Sequence, residues 1–190
     1  MTENFKWGIL GPGRIAETFA KGVQSISGAE IYAVASSSSQ ERAGAFSRKF
    51  KTPKAYATYE ALVADPDVDA VYISSLHHQH FANSLLSLEA GKPVLCEKPF
   101  TVNAVETENL FKVAKEKNLF IMEALWTRFL PIYGIIRQWL DDERIGEIKL
   151  MTSTFGFRPE PNAKGRLFDP NLAGGALLDI GIYNLSVSQW

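Results

Sequence analysis

The sequence predicts an α/β fold: a doubly wound, mostly parallel sheet with helices on both of its faces. Up to residue 124, short apolar runs of strand length alternate with amphipathic helical segments of roughly 10 to 15 residues. A helical segment of that length can cross back over the sheet, which makes the next strand parallel to the previous one. After residue 124 this alternation stops, which indicates a second structural unit.

Each predicted strand is a short apolar run bounded by turn-forming residues. The run at residues 5–10 stops at Gly11, and the run at residues 70–74 follows the turn-like Asp65-Pro66-Asp67. The predicted strands are residues 5–10, 31–35, 70–74, 93–96 and 119–124.

The helices are predicted from apolar side chains that recur at helical spacing. In the first helix these are Ile15, Phe19, Val23 and Ile26. Gly91 marks a helix end, and Asn103 followed by Glu106 is typical of a capped helix start. The predicted helices are residues 15–26, 40–50, 80–89 and 103–117.

The pattern changes after residue 124. Residues 131–140 predict a helix, and residues 147–157 alternate polar and apolar side chains as a half-exposed strand does. A further helix starts at about residue 175, after a loop rich in Pro, Asn and Gly. We therefore predict one domain over residues 1–124 and the incomplete start of a second over residues 125–190.

The composition is that of an ordinary globular protein, and it excludes several classes. The 190 residues include 46% apolar and 22% charged side chains, with a formal net charge of −1. This balance gives no reason to expect a nucleic acid or a membrane as partner. The single cysteine, Cys96, cannot form an intramolecular disulfide, and no run resembles a signal peptide or a membrane span. We expect a cytoplasmic protein.

The segment Gly11-Pro12-Gly13-Arg14-Ile15-Ala16 fits the pattern G-x-G-x-x-G/A between a strand and a helix. Gly11 permits a tight turn, Gly13 lets a pyrophosphate approach, and Ala16 allows close packing of the helix on the strand. The helix N-terminus offers N–H groups to the phosphates. This context predicts a Rossmann-type dinucleotide site; the alternative is a tight turn without a ligand.

The end of the second strand bears on the choice between NAD and NADP. NAD sites place Asp or Glu there for the ribose 2′-hydroxyl, whereas this chain has Ser36, Ser37, Ser38 and Ser39, with Arg42 close behind. A carboxylate would repel a 2′-phosphate, while hydroxyls and a guanidinium can bind one. We predict NADP in preference to NAD; the alternative is a polar turn beside a solvated arginine.

Lys98, Asp179 and Tyr183 are the candidates for proton chemistry. Lys98 lies in Glu97-Lys98-Pro99 at the carboxyl end of a strand, where ligands collect in open α/β sheets. Asp179 and Tyr183 are four residues apart on a predicted helix and share a face. A nearby ammonium favours phenolate, so a lysine and a tyrosine together suit carbonyl and alcohol chemistry. The alternatives are a surface lysine and a solvated helix face.

His77, His78 and His80 lie at a strand-to-helix junction, without a cysteine or carboxylate at ligand spacing nearby. We predict no metal site there; the histidines are expected to cap the helix or to touch the cofactor. Cys96 lies in an apolar strand and is expected to be an inert core thiol.

Three segments together resemble the glucose–fructose oxidoreductase, inositol dehydrogenase and rhizopine-catabolism family: residues 11–16, 89–99 and 174–183. Residues 124–131 are most similar to the branch of dimeric dihydrodiol dehydrogenases and NADP-dependent xylose dehydrogenases. The resemblance implies a Rossmann-type domain followed by an α+β domain with a mostly antiparallel sheet. It also implies NADP-linked oxidation or reduction of a sugar or a diol, and assembly of the complete protein into homo-oligomers.

The resemblance further implies roles for individual residues. Lys98 would polarise the substrate oxygen, Tyr183 would be the acid/base and Asp179 would orient the substrate. Glu97 would contact the ribose, and His80 would lie beside the nicotinamide. Near the substrate we expect Trp126, Arg128 and Phe155. The residues expected to contact the cofactor are Gly11, Pro12, Gly13, Arg14, Ile15, Ser36, Ser37, Ser38, Arg42, Ser75, Leu76, His77, His80, Glu97 and Lys98.

Members of this family continue past the last helix with a large sheet, so we expect the chain to be truncated. The leading hypothesis is an NADP-dependent oxidoreductase. The alternative is a non-catalytic NAD(P)-binding regulator or sensor on the same scaffold. A flavin or methyl-donor protein is a third interpretation, against which Glu97-Lys98-Pro99 and its Asp179 and Tyr183 partners argue.

Overall fold

Six strands form one sheet in the order β3-β2-β1-β4-β5-β6. The computed structural model describes residues 4–162 and 164–189. The pairs β1–β2, β1–β4, β2–β3 and β4–β5 are all parallel. The chain adds β2 and β3 on one side of β1 and then crosses over to add β4, β5 and β6 on the other side. This is the strand order of a doubly wound sheet, and it confirms the predicted fold class. The strands are β1 (Phe5–Leu10), β2 (Ala29–Ala35), β3 (Lys54–Tyr56), β4 (Ala70–Ile73), β5 (Val94–Glu97) and β6 (Ile121–Ala124).

Helices connect successive strands of the sheet, and further helices follow the last strand. Two helices, those over residues 40–50 and 80–89, have the bounds that the sequence predicts, and the other predicted helices of the first 124 residues differ by one or two residues at their ends. The short β3 and the helix that follows it were not predicted. The helices are α1 (Arg14–Gln24), α2 (Gln40–Phe50), α3 (Tyr59–Val63), α4 (His80–Glu89), α5 (Ala104–Glu116), α6 (Pro131–Asp141) and α7 (Ile182–Ser188).

Side-chain caps explain where several helices begin. The side chains of Ser39, Thr58 and Asn103 each accept a backbone N–H from the first turn of α2, α3 and α5. Asn103 accepts the Glu106 N–H at 2.9 Å, as predicted. After α4, Gly91 adopts a φ of +78° and ends the helix, as predicted.

The core lies between the sheet and its helices. Ile9, Leu10, Val34, Val71 and Ile73 are fully buried on the central strands. Ala16 of the glycine motif is also fully buried, which agrees with its predicted role in bringing α1 close to the sheet. Cys96 is fully buried in β5, and burial raises the pKa of its thiol, as expected of a core cysteine.

The chain divides into two compact units, residues 1–123 and 124–190. The assignment of distinct functional domains to them stays a prediction. The second unit contains α6, a π-helical segment at Leu177–Gly181, and α7.

The predicted strand over residues 147–157 is wrong: among the described residues after Ala124 no strand is formed. Alternation predicts which side chains share a face, but a strand also needs a hydrogen-bonded neighbour. In the part of the chain that the structure describes, no helix is both long and apolar enough to cross a membrane.

Candidate active site

The loop between β1 and α1 contains two glycines in different environments. Gly11 has a φ of +96°, and a Cβ there would lie 2.9 Å from the Ser75 nitrogen. Gly13 has an ordinary φ of −94°, and the nearest atom to a Cβ would be the Ser74 carbonyl oxygen at 3.9 Å. Of these two positions, packing within the chain therefore requires glycine only at position 11. The open space above Gly13 fits the approach of a pyrophosphate.

Helix α1 begins directly after this loop. Gly13 caps it without a side-chain hydrogen bond, so the first backbone N–H groups of the helix have no capping acceptor. Pro12 has no N–H, and the Arg14 and Ile15 side chains are exposed. The positive end of the helix dipole adds to the attraction for an anion at this point. The predicted phosphate site is thus built from backbone groups.

The serine run after β2 forms a hydroxyl cluster with Arg42. Ser36 Oγ lies 3.2 Å from Ser38 Oγ, and Arg42 Nη1 donates to Ser38 Oγ at 3.1 Å. Ser37 and Arg42 are exposed, whereas Ser36 is buried. The parallel register pairs Leu10 of β1 with Ala35 of β2, so the cluster lies at the same sheet edge as the glycine loop. Hydroxyl groups and a guanidinium suit a phosphate monoester.

The segment after β4 connects to the glycine loop. Ser74 donates its hydroxyl proton to the Gly11 carbonyl at 2.8 Å, and Ser75 Oγ accepts from the Asn83 amide at 2.8 Å. Leu76 is exposed, and His77 is buried.

Across the described residues, 4–162 and 164–189, no group of three or more His, Cys, Asp or Glu side chains is arranged to hold a metal ion.

His80 joins the segment after β4 to the turn after β5. Its ring is fully buried; Nδ1 lies 2.7 Å from the Pro99 carbonyl oxygen, and Nε2 lies 3.2 Å from that of Ser75. Both partners accept hydrogen bonds, so a neutral ring can donate to only one of them. Burial lowers the pKa of His80, against the two carbonyls that favour the charged form. The predicted contact of His80 with a nicotinamide stays a prediction.

Glu97 and Lys98 lie at the carboxyl end of β5. The buried Glu97 accepts a hydrogen bond from the Tyr72 hydroxyl at 2.5 Å, and its other oxygen accepts the Lys98 backbone N–H at 3.2 Å. Burial raises the pKa of Glu97, and the hydrogen bond from Tyr72 partly offsets this effect. The half-buried Lys98 precedes a cis peptide bond to Pro99. Sequence reasoning missed Tyr72, although a tyrosine in a fully buried strand needs a polar partner for its hydroxyl.

In the second unit, the structure brings together three of the predicted residues. The Trp126 indole N–H donates to the Tyr183 hydroxyl oxygen at 3.1 Å. The Phe155 ring meets the Tyr183 ring edge to face, with centroids 5.4 Å apart. A hydrogen bond from Trp126 and ring contacts with Trp126 and Phe155 therefore hold Tyr183 in place.

Asp179 and Arg128 contact residues that the sequence did not single out. Asp179, buried in the π-helical segment, pairs with Arg166 at 3.0 Å. Arg128 donates through Nε to the buried Ser186 hydroxyl at 2.9 Å. These pairs lie 13 and 58 residues apart in the chain, so no local spacing could have revealed them.

Family models match both units of the chain. The model described as an oxidoreductase family with an NAD-binding Rossmann fold matches residues 5–125, and that of the GFO/IDH/MocA C-terminal domain matches residues 133–190. The chain belongs to the GFO/IDH/MocA oxidoreductase family. Membership confirms the resemblance that the sequence predicted. The roles of Lys98, Asp179 and Tyr183 that it implies stay predictions.

Among GFO/IDH/MocA relatives, the D-xylose 1-dehydrogenase (NADP(+)) of Hypocrea jecorina is 43% identical over 95% of this chain and 51% of its own length. The trans-1,2-dihydrobenzene-1,2-diol dehydrogenase of Mus musculus is 42% identical over 94% of this chain and 53% of its own length. The chain thus spans about half the length of the curated relatives it matches.

Solved structures of the family have the same fold. A 3-ketoreductase from Actinomadura kijaniata, in complex with NADP and TDP-benzene, superposes with a TM-score of 0.91 at 33% identity. The match covers 98% of this chain and 57% of the ketoreductase. An NAD-binding oxidoreductase from Klebsiella pneumoniae matches with a TM-score of 0.83 at 27% identity, over 98% of this chain and 52% of that protein.

Proposed function

We propose that the protein is an NADP-linked oxidoreductase that transfers a hydride between a nicotinamide and a hydroxyl-bearing or carbonyl carbon of a sugar or a diol. The observation that carries the proposal is one sheet edge, where the loop with Gly11 and Gly13, the Ser36–Ser38–Arg42 cluster and Lys98 follow β1, β2 and β5. Ligands of open α/β sheets bind outside the carboxyl ends of the strands. The relatives above, two dehydrogenases and a ketoreductase, support this reaction class.

The residues present fit NADP. Its pyrophosphate would lie over Gly13 at the N-terminus of α1, and its 2′-phosphate would meet Ser36, Ser38 and Arg42. Glu97 would bind the ribose beside the nicotinamide. When bound, the nicotinamide would accept or supply the hydride.

The proton would be moved by side chains of this chain. Trp126 donates to the oxygen of Tyr183, and an indole N–H cannot accept, so the phenol proton is not used in this bond. Tyr183 would pass that proton to the substrate oxygen or take one from it. The Lys98 ammonium would polarise the same oxygen, and Asp179 would orient the substrate hydroxyl.

A cofactor titration tests the first half of the proposal. NADPH and NADH are titrated in parallel with nicotinamide fluorescence as the readout, and NADPH should bind more tightly. Arg42→Ala should weaken NADPH binding by about tenfold and leave NADH binding unchanged, because only NADPH has the 2′-phosphate. Arg48→Ala, at an exposed arginine of the same helix α2, is the matched control. Preference for NADH would contradict the assignment of NADP.

Turnover tests the second half. Lys98→Met and Tyr183→Phe are assayed with a panel of sugars and diols, in the longest natural form of the protein that contains this chain. Each should lower kcat by about a hundredfold or more, and Tyr183→Phe should do so with NADPH affinity unchanged. Near-normal turnover in both variants would contradict the Lys98–Tyr183 pair. Cofactor binding without turnover of any substrate would favour a regulatory or sensor protein.

A further inference from the structure

Arg166 contacts Asp179 directly, although no motif in the sequence singled it out. Arg166 Nη1 lies 3.0 Å from Asp179 Oδ1. The side chain of Asp179 is 10% exposed, whereas that of Arg166 is 49% exposed. A buried carboxylate is costly unless it is paired and hydrogen-bonded, and a guanidinium meets both requirements with a fixed geometry.

Backbone hydrogen bonds hold the loop of Arg166 against the segment of Asp179. The Leu167 carbonyl accepts the Gly175 N–H at 3.0 Å, and the Gly175 carbonyl accepts the Asp179 N–H at 3.2 Å. The ion pair between Arg166 and Asp179 adds a side-chain link between the same two segments. The backbone hydrogen bonds therefore place Arg166 near Asp179, so the pairing does not depend on the flexible arginine side chain alone.

Gly174 shows how tightly this loop is packed. A Cβ at position 174 would lie 2.8 Å from the Asp169 carbonyl oxygen, closer than real Cβ atoms approach, and 3.0 Å from that of Arg166, which is also tight. The Gly174 N–H also donates to the Asp169 carbonyl at 2.9 Å. Glycine at position 174 therefore allows the backbone of Arg166 to lie where its side chain reaches Asp179.

Asp179 itself lies in an irregular turn. The π-helical segment Leu177–Gly181 contains it, and α7, which carries Tyr183, begins immediately afterwards. Single π-helical turns within helices redirect side chains and are frequent at functional sites. A carboxylate is planar, so fixing Oδ1 on Arg166 also fixes the direction of Oδ2.

We propose that Arg166 is a positioning residue: its ion pair holds Asp179 in the orientation in which Asp179 binds the substrate hydroxyl. The inference rests on the proposed function, in which Asp179 orients the substrate. In this role Arg166 acts through Asp179, and its effect should disappear when Asp179 can no longer pair with it.

The test is a double-mutant cycle with chemical rescue, in the longest natural form of the protein. Arg166→Ala should lower kcat/KM for the substrate about 10- to 100-fold and leave NADPH affinity within about twofold. Asp179→Asn combined with Arg166→Ala should be no worse than Asp179→Asn alone. Because Arg166 is half exposed, added guanidinium at non-denaturing concentration should restore part of the activity of Arg166→Ala. Arg158→Ala, at an exposed arginine of the same unit, is the matched control.

Each outcome supports or overturns the role of Arg166. Normal turnover of Arg166→Ala, measured together with an inactive Lys98→Met variant, would overturn the role of Arg166 and leave the proposed function standing. The same conclusion would follow if the losses of the two single variants add in the double variant, or if guanidinium does not restore the activity of Arg166→Ala. An inactive wild-type protein, or a fully active Lys98→Met variant, would overturn the proposed function and the role of Arg166 with it. If Arg166→Ala does not fold, Arg166→Lys carries the test, with an intermediate kcat/KM expected.

Discussion

At the scale of single residues, the two glycines of the loop before α1 have different reasons to be glycine. Gly11 has a positive φ, and a side chain there would strike the backbone of Ser75. Gly13 has a φ of −94° and no close neighbour in the chain. The motif assigns the tight turn to Gly11 and the approach of a ligand to Gly13, and the local geometry of each glycine agrees with that assignment.

Gly13→Ala should therefore weaken NADPH binding by about tenfold or more, because its Cβ would occupy the space proposed for the pyrophosphate. The free energy of unfolding should change by no more than about 1 kcal/mol, since only a glycine cap is lost. Cofactor titration and urea denaturation measure the two effects. Gly11→Ala is the contrasting variant, with about 1–3 kcal/mol lost from backbone strain alone. Unchanged NADPH affinity in Gly13→Ala would contradict the proposed position of the pyrophosphate.

The buried imidazole of His80 makes stability depend on pH. Burial lowers its pKa below the reference value of 6.5, so the folded ring resists protonation that the unfolded chain accepts. The unfolded state then binds more protons than the folded state as the pH falls below that reference. Stability that is fully present above the unfolded pKa is lost as the pH falls toward the folded one.

Replacing His80 should reduce this loss. Between about pH 7.5 and about pH 5.5, the unfolding free energy of His80→Gln should fall less steeply than that of the wild type, by up to about 1.4 kcal/mol per pH unit. Urea denaturation across this range provides the slopes. The exposed His78 is the matched control, and His78→Gln should follow the wild type. A His80→Gln slope parallel to the wild-type slope would rule out His80 as the source.

At the scale of the elements, local chemistry decides where helices start. The side chain of Asn103 accepts the Glu106 N–H, and Glu106 Oε2 in turn accepts the Val102 N–H at 3.4 Å. Both residues are recognisable in the sequence because capping depends on neighbours only a few positions away. Local signals also mark the start of α2, which Ser39 caps, and the end of α4, which Gly91 follows with a positive φ.

Asn103→Ala should lower the unfolding free energy by about 1 kcal/mol, because a backbone N–H of α5 loses its acceptor. Asn109→Ala provides a matched control within α5, where the asparagine is exposed and alanine is the better helix former. Chemical denaturation should show a loss in the first variant and no loss in the second. Equal effects would mean that the cap contributes nothing beyond helix propensity.

Elements fixed by distant contacts were not predictable from local patterns. The three residues of β3 are too few to show a period, and their place is set by pairing with β2 and by Asp65, which accepts from Lys54 and Tyr56 at 2.9 and 2.7 Å. Residues 147–157 have a clear alternation yet form no strand among the described residues, because nothing there pairs with them. Pattern predicts an element only where its partner is also present.

The site divides in the same way. Residues with a motif at fixed spacing, such as Gly11, Gly13 and Lys98, could be selected from the sequence. Their supporting partners could not: Tyr72 is 25 residues from Glu97, and Trp126 is 57 residues from Tyr183. Such pairs are set by strand order and helix placement, which only the folded chain shows.

At the scale of the whole molecule, apolar burial is concentrated in the first unit. Nearly all of the buried apolar side chains of the described chain precede residue 124, and Leu125 is the only one after it. Helix α6 instead exposes Ile132, Ile135 and Trp139, each more than two-fifths accessible. Helices without buried apolar faces gain little from packing and open at low free-energy cost.

Hydrogen exchange should therefore divide this chain into two parts. Amides of β1 and β4, which pair with a strand on both sides and contain the buried Ile9, Leu10, Val71 and Ile73, should exchange on the time scale of global unfolding. Amides of α6 should exchange far sooner, since that helix has no buried side chain to hold it closed. Mass spectrometry of peptides from both regions measures the contrast, and added NADPH should slow exchange in residues 11–16 while leaving α6 unchanged. Equal protection of α6 and β1 would show that the second unit is stabilised by contacts other than apolar burial of its own side chains.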